Sequence, residues 1–219
     1  MIAGMDQSAV SVDVLAFRFG NPEPGKLRFA VAPRRWEPYT GQLALPGVLL
    51  GAGERLRDAA RRAVTSKLGI PDDAIVAIGQ LAVFDEPHRD PRGPTLSVTM
   101  WAVVTGADFR VTADTAVQWR PLDAPGDLAF DHNRIVADGR AVAGSRLLWH
   151  DITFTRALLG PEFPATYAVE VTTALTGTRP DAGNLNRTLK ALPGLERTDE
   201  RVRVQATGRP AVVWRWVAD

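Results

Sequence analysis

The sequence contains no cysteine, which removes disulfides and thiolate metal sites at once. It also lacks any unbroken apolar stretch approaching the ~18 residues that a membrane span needs. Its opening segment, MIAGMDQSAVSVDVLAF, shows no basic region followed by a long apolar run, so no secretory signal is expected and the expected address is the cytoplasm. A charge excess of one sign is missing too: 26 Lys and Arg stand against 25 Asp and Glu, a net charge of +1. A nucleic-acid partner would have to be met by local basic patches rather than by a global surplus. What is present suits a soluble globular chain of one large or two modest domains: 219 residues, 45% hydrophobic and 23% charged, long enough to bury a real core.

Val10 to Phe19 alternates as a β-strand, Gly20-Asn21-Pro22-Glu23-Pro24-Gly25 forms a breaker-rich turn, and Leu27 to Val31 completes a hairpin. Trp36 is expected to be a packed aromatic. The stretch Leu45 to Ile70, LPGVLLGAGERLRDAARRAVTSKLGI, reads as a strand end, a Gly-rich turn and one amphipathic helix. Leu56, Ala60, Ala63 and Val64 recur at helical spacing, Leu68 follows a turn later, and Gly69 supplies the stop. Ile75 to Phe84 and Thr95 to Val104 are strands. Their joining loop carries Arg89 and Arg92 beside Pro91 and Gly93, residues that favour a defined turn. Arginine suits bidentate contact with phosphate; a solvated hairpin tip is the competing reading. Trp119 to Leu122 is a short strand, and Asp131 is placed to cap a helix running through Ile135, Val136, Ala141 and Val142. His132, alone, is either a structural histidine or a ligand-binding one.

Beyond Trp149 the pattern changes. A segment ending at Gly160-Pro161 is followed by a helix with Tyr167, Val171, Ala174 and Leu175 on one face and Gly177 at its end. A second helix starts at Asp181 as N-cap, turns Leu185, Leu189 and Leu192 inward, and displays Asn184, Asn186, Arg187 and Lys190. Two strands follow, Leu195 to Thr198 and Ala211 to Val217, joined by a loop with Arg201, Arg203 and Arg209. That order is a winged helix-turn-helix. Asn and Arg can pair with adenine and guanine edges in the major groove, and arginines in a wing can meet phosphate or the minor groove. Glu196, Asp199 and Glu200 at the wing's base weaken a purely compositional argument, and a small dimerisation domain is the alternative.

The Leu45–Ile70 stretch resembles the Nudix box of diphosphate hydrolases, whose pattern is Gly, five residues, Glu, seven residues, then Arg-Glu-apolar-any-Glu-Glu-any-Gly-apolar. Glu54, Arg62, Val64, Gly69 and Ile70 keep that frame. Val48 replaces the glycine, Ala63 the first later glutamate, and Ser66 and Lys67 the metal-binding pair. Gln80-Leu81 and Phe84, then Arg89-Asp90-Pro91-Arg92-Gly93, and Leu128-Ala129-Phe130-Asp131-His132 resemble the ADP-ribose branch of the same family. With the C-terminal helix-turn-helix and Gly208-Arg209-Pro210-Ala211, nearly the whole chain resembles the Nudix-related transcriptional regulators, the NrtR family.

The resemblance implies an α+β fold: an α/β/α Nudix sandwich with a mixed sheet over 1–148, followed by a small winged helix-turn-helix domain over 149–219. It implies a homodimer on a double-stranded palindromic DNA operator, with half-sites spaced by helical turns. The small-molecule effector would be ADP-ribose or a related metabolite, held by Arg34, Glu54, Lys67, Gln80, Arg89, Arg92 and His132. DNA would be held by Asn184, Asn186, Arg187, Lys190, Arg201, Arg203 and Arg209. No catalytic residue, metal site or cofactor is expected: magnesium wants several hard oxygen ligands in octahedral geometry, and Glu54 beside Ser66 and Lys67 cannot supply them. The pattern thus predicts a regulator, a repressor of NAD metabolism in the family's usual role. A Nudix hydrolase of ADP-ribose or another nucleoside diphosphate, and a partner protein without DNA binding, are the two other readings.

Overall fold

The structure is a computed structural model that describes residues 8–20, 26–106, 117–204 and 210–217. The turn expected at 21–25, and Gly208 and Arg209 of the expected basic loop, lie outside the described residues. In chain order the elements are β1 (Ala9–Phe19), β2 (Leu27–Pro33), β3 (Leu43–Ala44), β4 (Gly47–Leu49) and α1 (Leu56–Leu68). Then come β5 (Ile75–Phe84), β6 (Thr95–Val104), β7 (Gln118–Pro121), α2 (His132–Val142) and α3 (Ile152–Leu159). The chain closes with β8 (Glu162–Pro164), α4 (Ala165–Thr176), α5 (Ala182–Ala191), β9 (Leu195–Val202) and β10 (Ala211–Trp216).

The central pair is β1 and β6, parallel and in register from Ala9 opposite Thr95 to Phe17 opposite Val103. Both strands are buried on two faces, which is why they read as nearly continuous apolar runs. Val12, Val14 and Ala16 with Met100, Ala102 and Val104 meet Ala60, Ala63 and Val64 of α1 on one side. Leu15, Phe17, Trp101 and Val103 point the other way, to a core shared with α2 and α3. Around this pair the strands run β3-β2-β1-β6-β5, with β4 on the N-terminal half of β1 and β7 on β2. The sheet is mixed and lies between helices, as the sequence implied. Gly79 sits opposite Trp101, and a Cβ there would come within 2.5 Å of the indole. The glycine is the room that the ring needs.

Phe154 of α3 packs edge-on against Phe17 and Trp101, with centroids 5.9 and 5.1 Å away. Tyr167 of α4 meets Phe19 at 5.2 Å. The apolar core therefore continues from the first sheet into the C-terminal segment. There β8, β10 and β9 form a second, antiparallel sheet, closed by Arg215, which is paired with both Glu162 and Glu200. Ala168, Val171 and Leu175 of α4 and Leu185 and Leu189 of α5 fill its underside. Asp181 caps α5 by accepting from the Asn184 N–H at 2.8 Å. The strand expected to stop at Thr198 runs on to Val202, because Arg201 and Val202 pair with Val212 and Ala211. Its side chains after Leu195 are almost all exposed, so no alternation marked its length.

Candidate functional site

A cavity of about 500 Å³ opens between the start of β1, the segment after β2, β4, one face of α1, the 89–92 loop and the tract before α2. It gathers five of the seven expected effector residues: Arg34, Lys67, Arg89, Arg92 and His132. Gln80 is not among them; it lies exposed on β5, the edge strand of the sheet. Glu54 is also absent from the lining. Its carboxylate takes both arms of Arg62 at 2.8 and 2.7 Å and the Gly51 N–H at 2.8 Å. Those hydrogen bonds, Arg62 first and then the Gly51 N–H, hold it down at about 2, below the usual carboxylate range. Arg62 donates further to the Leu49 carbonyl, so the pair ties the Gly-rich turn to α1.

At the cavity floor stands Asp13, a carboxylate on the central strand that the pattern did not single out. It is 5% exposed and accepts from the Ser97 hydroxyl at 2.6 Å and the Ser11 hydroxyl at 3.0 Å. Arg89 reaches it at 3.5 Å, while its Nε and Nη2 grip Asp131 at 2.9 and 2.8 Å. A charge so far from water needs such partners. The one available signal was an Asp inside a largely apolar strand, since a buried carboxylate demands a buried cation. Gly47 is fitted to it: a Cβ would fall 2.2 Å from Asp13 Oδ1.

The tract Phe130-Asp131-His132 has three separate tasks. Asp131 precedes α2 but its side chain caps no helix N–H; Arg89 holds the carboxylate in the opposite direction, which corrects the expected cap. His132 Nδ1 accepts from the Leu45 N–H at 3.0 Å, so a neutral ring carries its proton on Nε2, facing Asp13 at 3.8 Å. Burial pushes its pKa down, against the pull of Asp13 and Asp131. Phe130 presents its ring to Arg34, 4.5 Å from the centroid, and to Arg92 at 5.7 Å. Arg34 donates to the Pro38 and Trp36 carbonyls at 2.6 and 3.2 Å. Desolvation, and then Arg92, lower its pKa. Arg92 in turn is clamped by Asp90 at 2.6 Å.

Trp36, expected as a packed aromatic, is instead 74% exposed at the cavity's edge. The positions of the missing box glutamates differ from one another. Ala63 is fully buried against the sheet, whereas Ser66 and Lys67 face the cavity. Ser66 spends its hydroxyl on the Arg62 carbonyl. With Glu54 occupied by Arg62, these residues do not fit a divalent cation. Among the described residues no three His, Asp or Glu side chains are grouped to hold one.

A second exposed surface lies at the other end of the chain. Asn184, Asn186, Arg187 and Lys190 are all exposed on α5, and Arg201 and Arg203 are exposed at the end of β9. Arg187 is hydrogen-bonded to Asn184, and Asn186 donates to the Ala182 carbonyl. Between the two surfaces runs α2. It starts at His132 in the cavity, and Arg140 near its end donates to the Ala174 carbonyl of α4 at 2.7 Å. The π-helical turn that follows, Ala143–Leu147, brings Gly144 so close to α4 that a Cβ would stand 3.2 Å from the Leu175 carbonyl.

A mixed sheet between helical layers, with a Glu–Arg pair fastening a Gly-rich turn to the first helix, is a Nudix fold. Over most of its length the chain is similar to solved structures: that of Shewanella oneidensis NrtR complexed with a 27mer DNA superposes with a TM-score of 0.74 at 22% identity, over 95% of this chain and 93% of that one, and that of a MutT/nudix family protein from Enterococcus faecalis with a TM-score of 0.69 at 22% identity, over 97% of this chain and 89% of that one. The NUDIX domain of the same NrtR complexed with ADP ribose matches with a TM-score of 0.52 at 24% identity, over 62% of this chain and 88% of that one. A curated ADP-ribose pyrophosphatase from Methanocaldococcus jannaschii is 30% identical over 106 residues, 48% of this chain. The match spans 61% of that relative's length. No family model matches the chain. Among the described residues no helix is long and apolar enough to cross a membrane.

Proposed function

We propose that this protein is an effector-responsive DNA-binding transcriptional regulator of the NrtR kind. Its division of labour follows residues 1–148, a Nudix sensor, and 149–219, a winged helix-turn-helix. The observation that carries this reading is the likeness to DNA-bound NrtR over 95% of the chain; the exposed polar face of α5 supports it. In this reading α5 is the recognition helix, with Asn184, Asn186, Arg187 and Lys190 toward base edges. Arg201, Arg203 and Arg209 meet the backbone. A homodimer on a palindromic operator, a cytoplasmic address and repression of NAD metabolism complete the reading.

The sensor ligand is ADP-ribose or a related nucleotide, held and not cleaved, because Ala63, Ser66 and Lys67 stand where hydrolysis needs carboxylates. Effector control requires only that the ligand bind the DNA-competent and DNA-free states with different affinity. The contact of α2 with both the cavity and α4 is a physical route by which occupancy could bias α5. Gel-shift against the protein's own upstream region, with and without ADP-ribose, tests the reading; no shifted complex under any condition refutes DNA binding.

The second reading is a hydrolase of ADP-ribose or a similar diphosphate, favoured by the similarity to a pyrophosphatase. Magnesium-dependent release of AMP from ADP-ribose would establish it in place of the sensor.

A further inference from the structure

The charges around the cavity do not cancel. Six cationic side chains line it: Arg34, Arg35, Arg62, Lys67, Arg89 and Arg92. Only Asp13 and Asp90 among the lining residues are carboxylates, and Glu54 and Asp131 add two more just behind the wall. By count the wall is cationic, six against four, with His132 neutral while Nδ1 accepts a hydrogen bond, and Arg35 is engaged by an interaction of its own. The surplus has a location. Arg62, Arg89 and Arg92 each hold a carboxylate at 2.8 Å or less. Lys67 makes no hydrogen bond or ion pair among the described residues and lies exposed on the cavity face of α1. Among the described residues Arg34 hydrogen-bonds only backbone carbonyls, and it rests on Phe130.

We propose that Lys67 and Arg34 bind the phosphoryl groups of a nucleoside-diphosphate-type ligand directly, with no divalent cation between protein and ligand. This rests on the reading of the cavity as the sensor site, and adds how the anion is recognised. The Lys67 ammonium supplies three donors and a full charge, while the Arg34 guanidinium, half-buried against Phe130, is the more weakly hydrated cation and offers a planar fork to an anion. A divalent cation close to Lys67 would be repelled by the like charge of the ammonium. The ligand's phosphates therefore take the place that a metal occupies where the box carries carboxylates.

The test is calorimetric titration of the full chain with ADP-ribose and, separately, with inorganic pyrophosphate, each in magnesium and in EDTA. Wild type is expected to bind with the same Kd in both buffers and more weakly as salt rises. Lys67→Gln should weaken binding at least about tenfold, the scale of one charge-assisted hydrogen bond, and Lys67→Arg should restore most of it. Because Lys67 is exposed, an unchanged melting temperature for the variants will show that the fold is intact. Affinity that collapses in EDTA, or Lys67→Gln binding like wild type, overturns the proposal. Pyrophosphate binding that depends on Lys67 without any ADP-ribose binding would keep the anion site and remove ADP-ribose as effector. Binding of neither probe overturns the anion site, whatever the gel-shift shows.

Discussion

Replacing Arg89 should be the most damaging single change at the cavity, and its size can be worked from the surroundings. The side chain is 4% exposed, and its partners Asp13 and Asp131 are 7% and 14% exposed. Arg89→Met keeps most of the volume and removes the charge, so the loss is electrostatic rather than a cavity effect. It strands the buried carboxylate of Asp13, left with the Ser11 and Ser97 hydroxyls, and the half-buried carboxylate of Asp131. Breaking a buried pair by deleting one partner costs about 3–5 kcal/mol, a large part of the ~5–15 kcal/mol that holds a typical domain. At roughly 2–4 °C per kcal/mol for a chain of this size, the melting temperature should drop by about 6–20 °C. Urea unfolding followed by tryptophan fluorescence reads the free energy, and Arg89→Met with Asp131→Asn should recover part of it. A loss below about 1 kcal/mol would mean that the cluster behaves as an exposed ion pair, and the account of a buried hub would be wrong.

Three other outcomes are expected. Glu54 should titrate near 2 in the folded protein and return toward its ordinary value in Arg62→Ala, as followed by carboxyl NMR; its folded pKa is depressed, so the stability it contributes is complete above the unfolded value near 4.5 and fades as pH falls toward 2. His132 also has a lowered pKa: stability should be full above the ordinary value of 6.5 and fall below it, by at most about 1.4 kcal/mol per pH unit for one proton, and His132→Gln should remove that slope in a pH series of unfolding curves. If DNA is bound, Arg187→Ala should relax base preference while Arg201→Ala and Arg203→Ala weaken all sequences alike and flatten the salt dependence; equal loss of discrimination from the strand variants would contradict that division.

Elements were legible in the sequence wherever one local rule governed them. The strand Thr95–Val104 and the helix stopped by Gly69 follow from side-chain periodicity and a left-handed cap, both of which are properties of the chain itself. Asp181 capping α5 is equally local. The site was legible only as far as motif spacing reached: Arg34, Lys67, Arg89, Arg92 and His132 do converge, but from four separated segments.

What tertiary structure alone decided is which charges are already used. Glu54 and Gln80 look available in the sequence, yet one is consumed by Arg62 eight residues away and the other lies exposed on the edge strand, outside the cavity lining. Asp131 reads as a cap because it precedes a helix, but Arg89, forty-two residues earlier, offers a buried bidentate fork that outweighs one exposed N–H. Asp13 gives only a weak signal in the sequence because, Ser11 apart, its partners come from β6 and from the loop before it. Periodicity determines the faces of helices and strands; long-range pairing determines which polar groups on those faces remain to meet a ligand. Motif spacing named Lys67 and Arg34 together with Glu54 and Gln80; only the pairing around them distinguishes the cations left over from the groups already used.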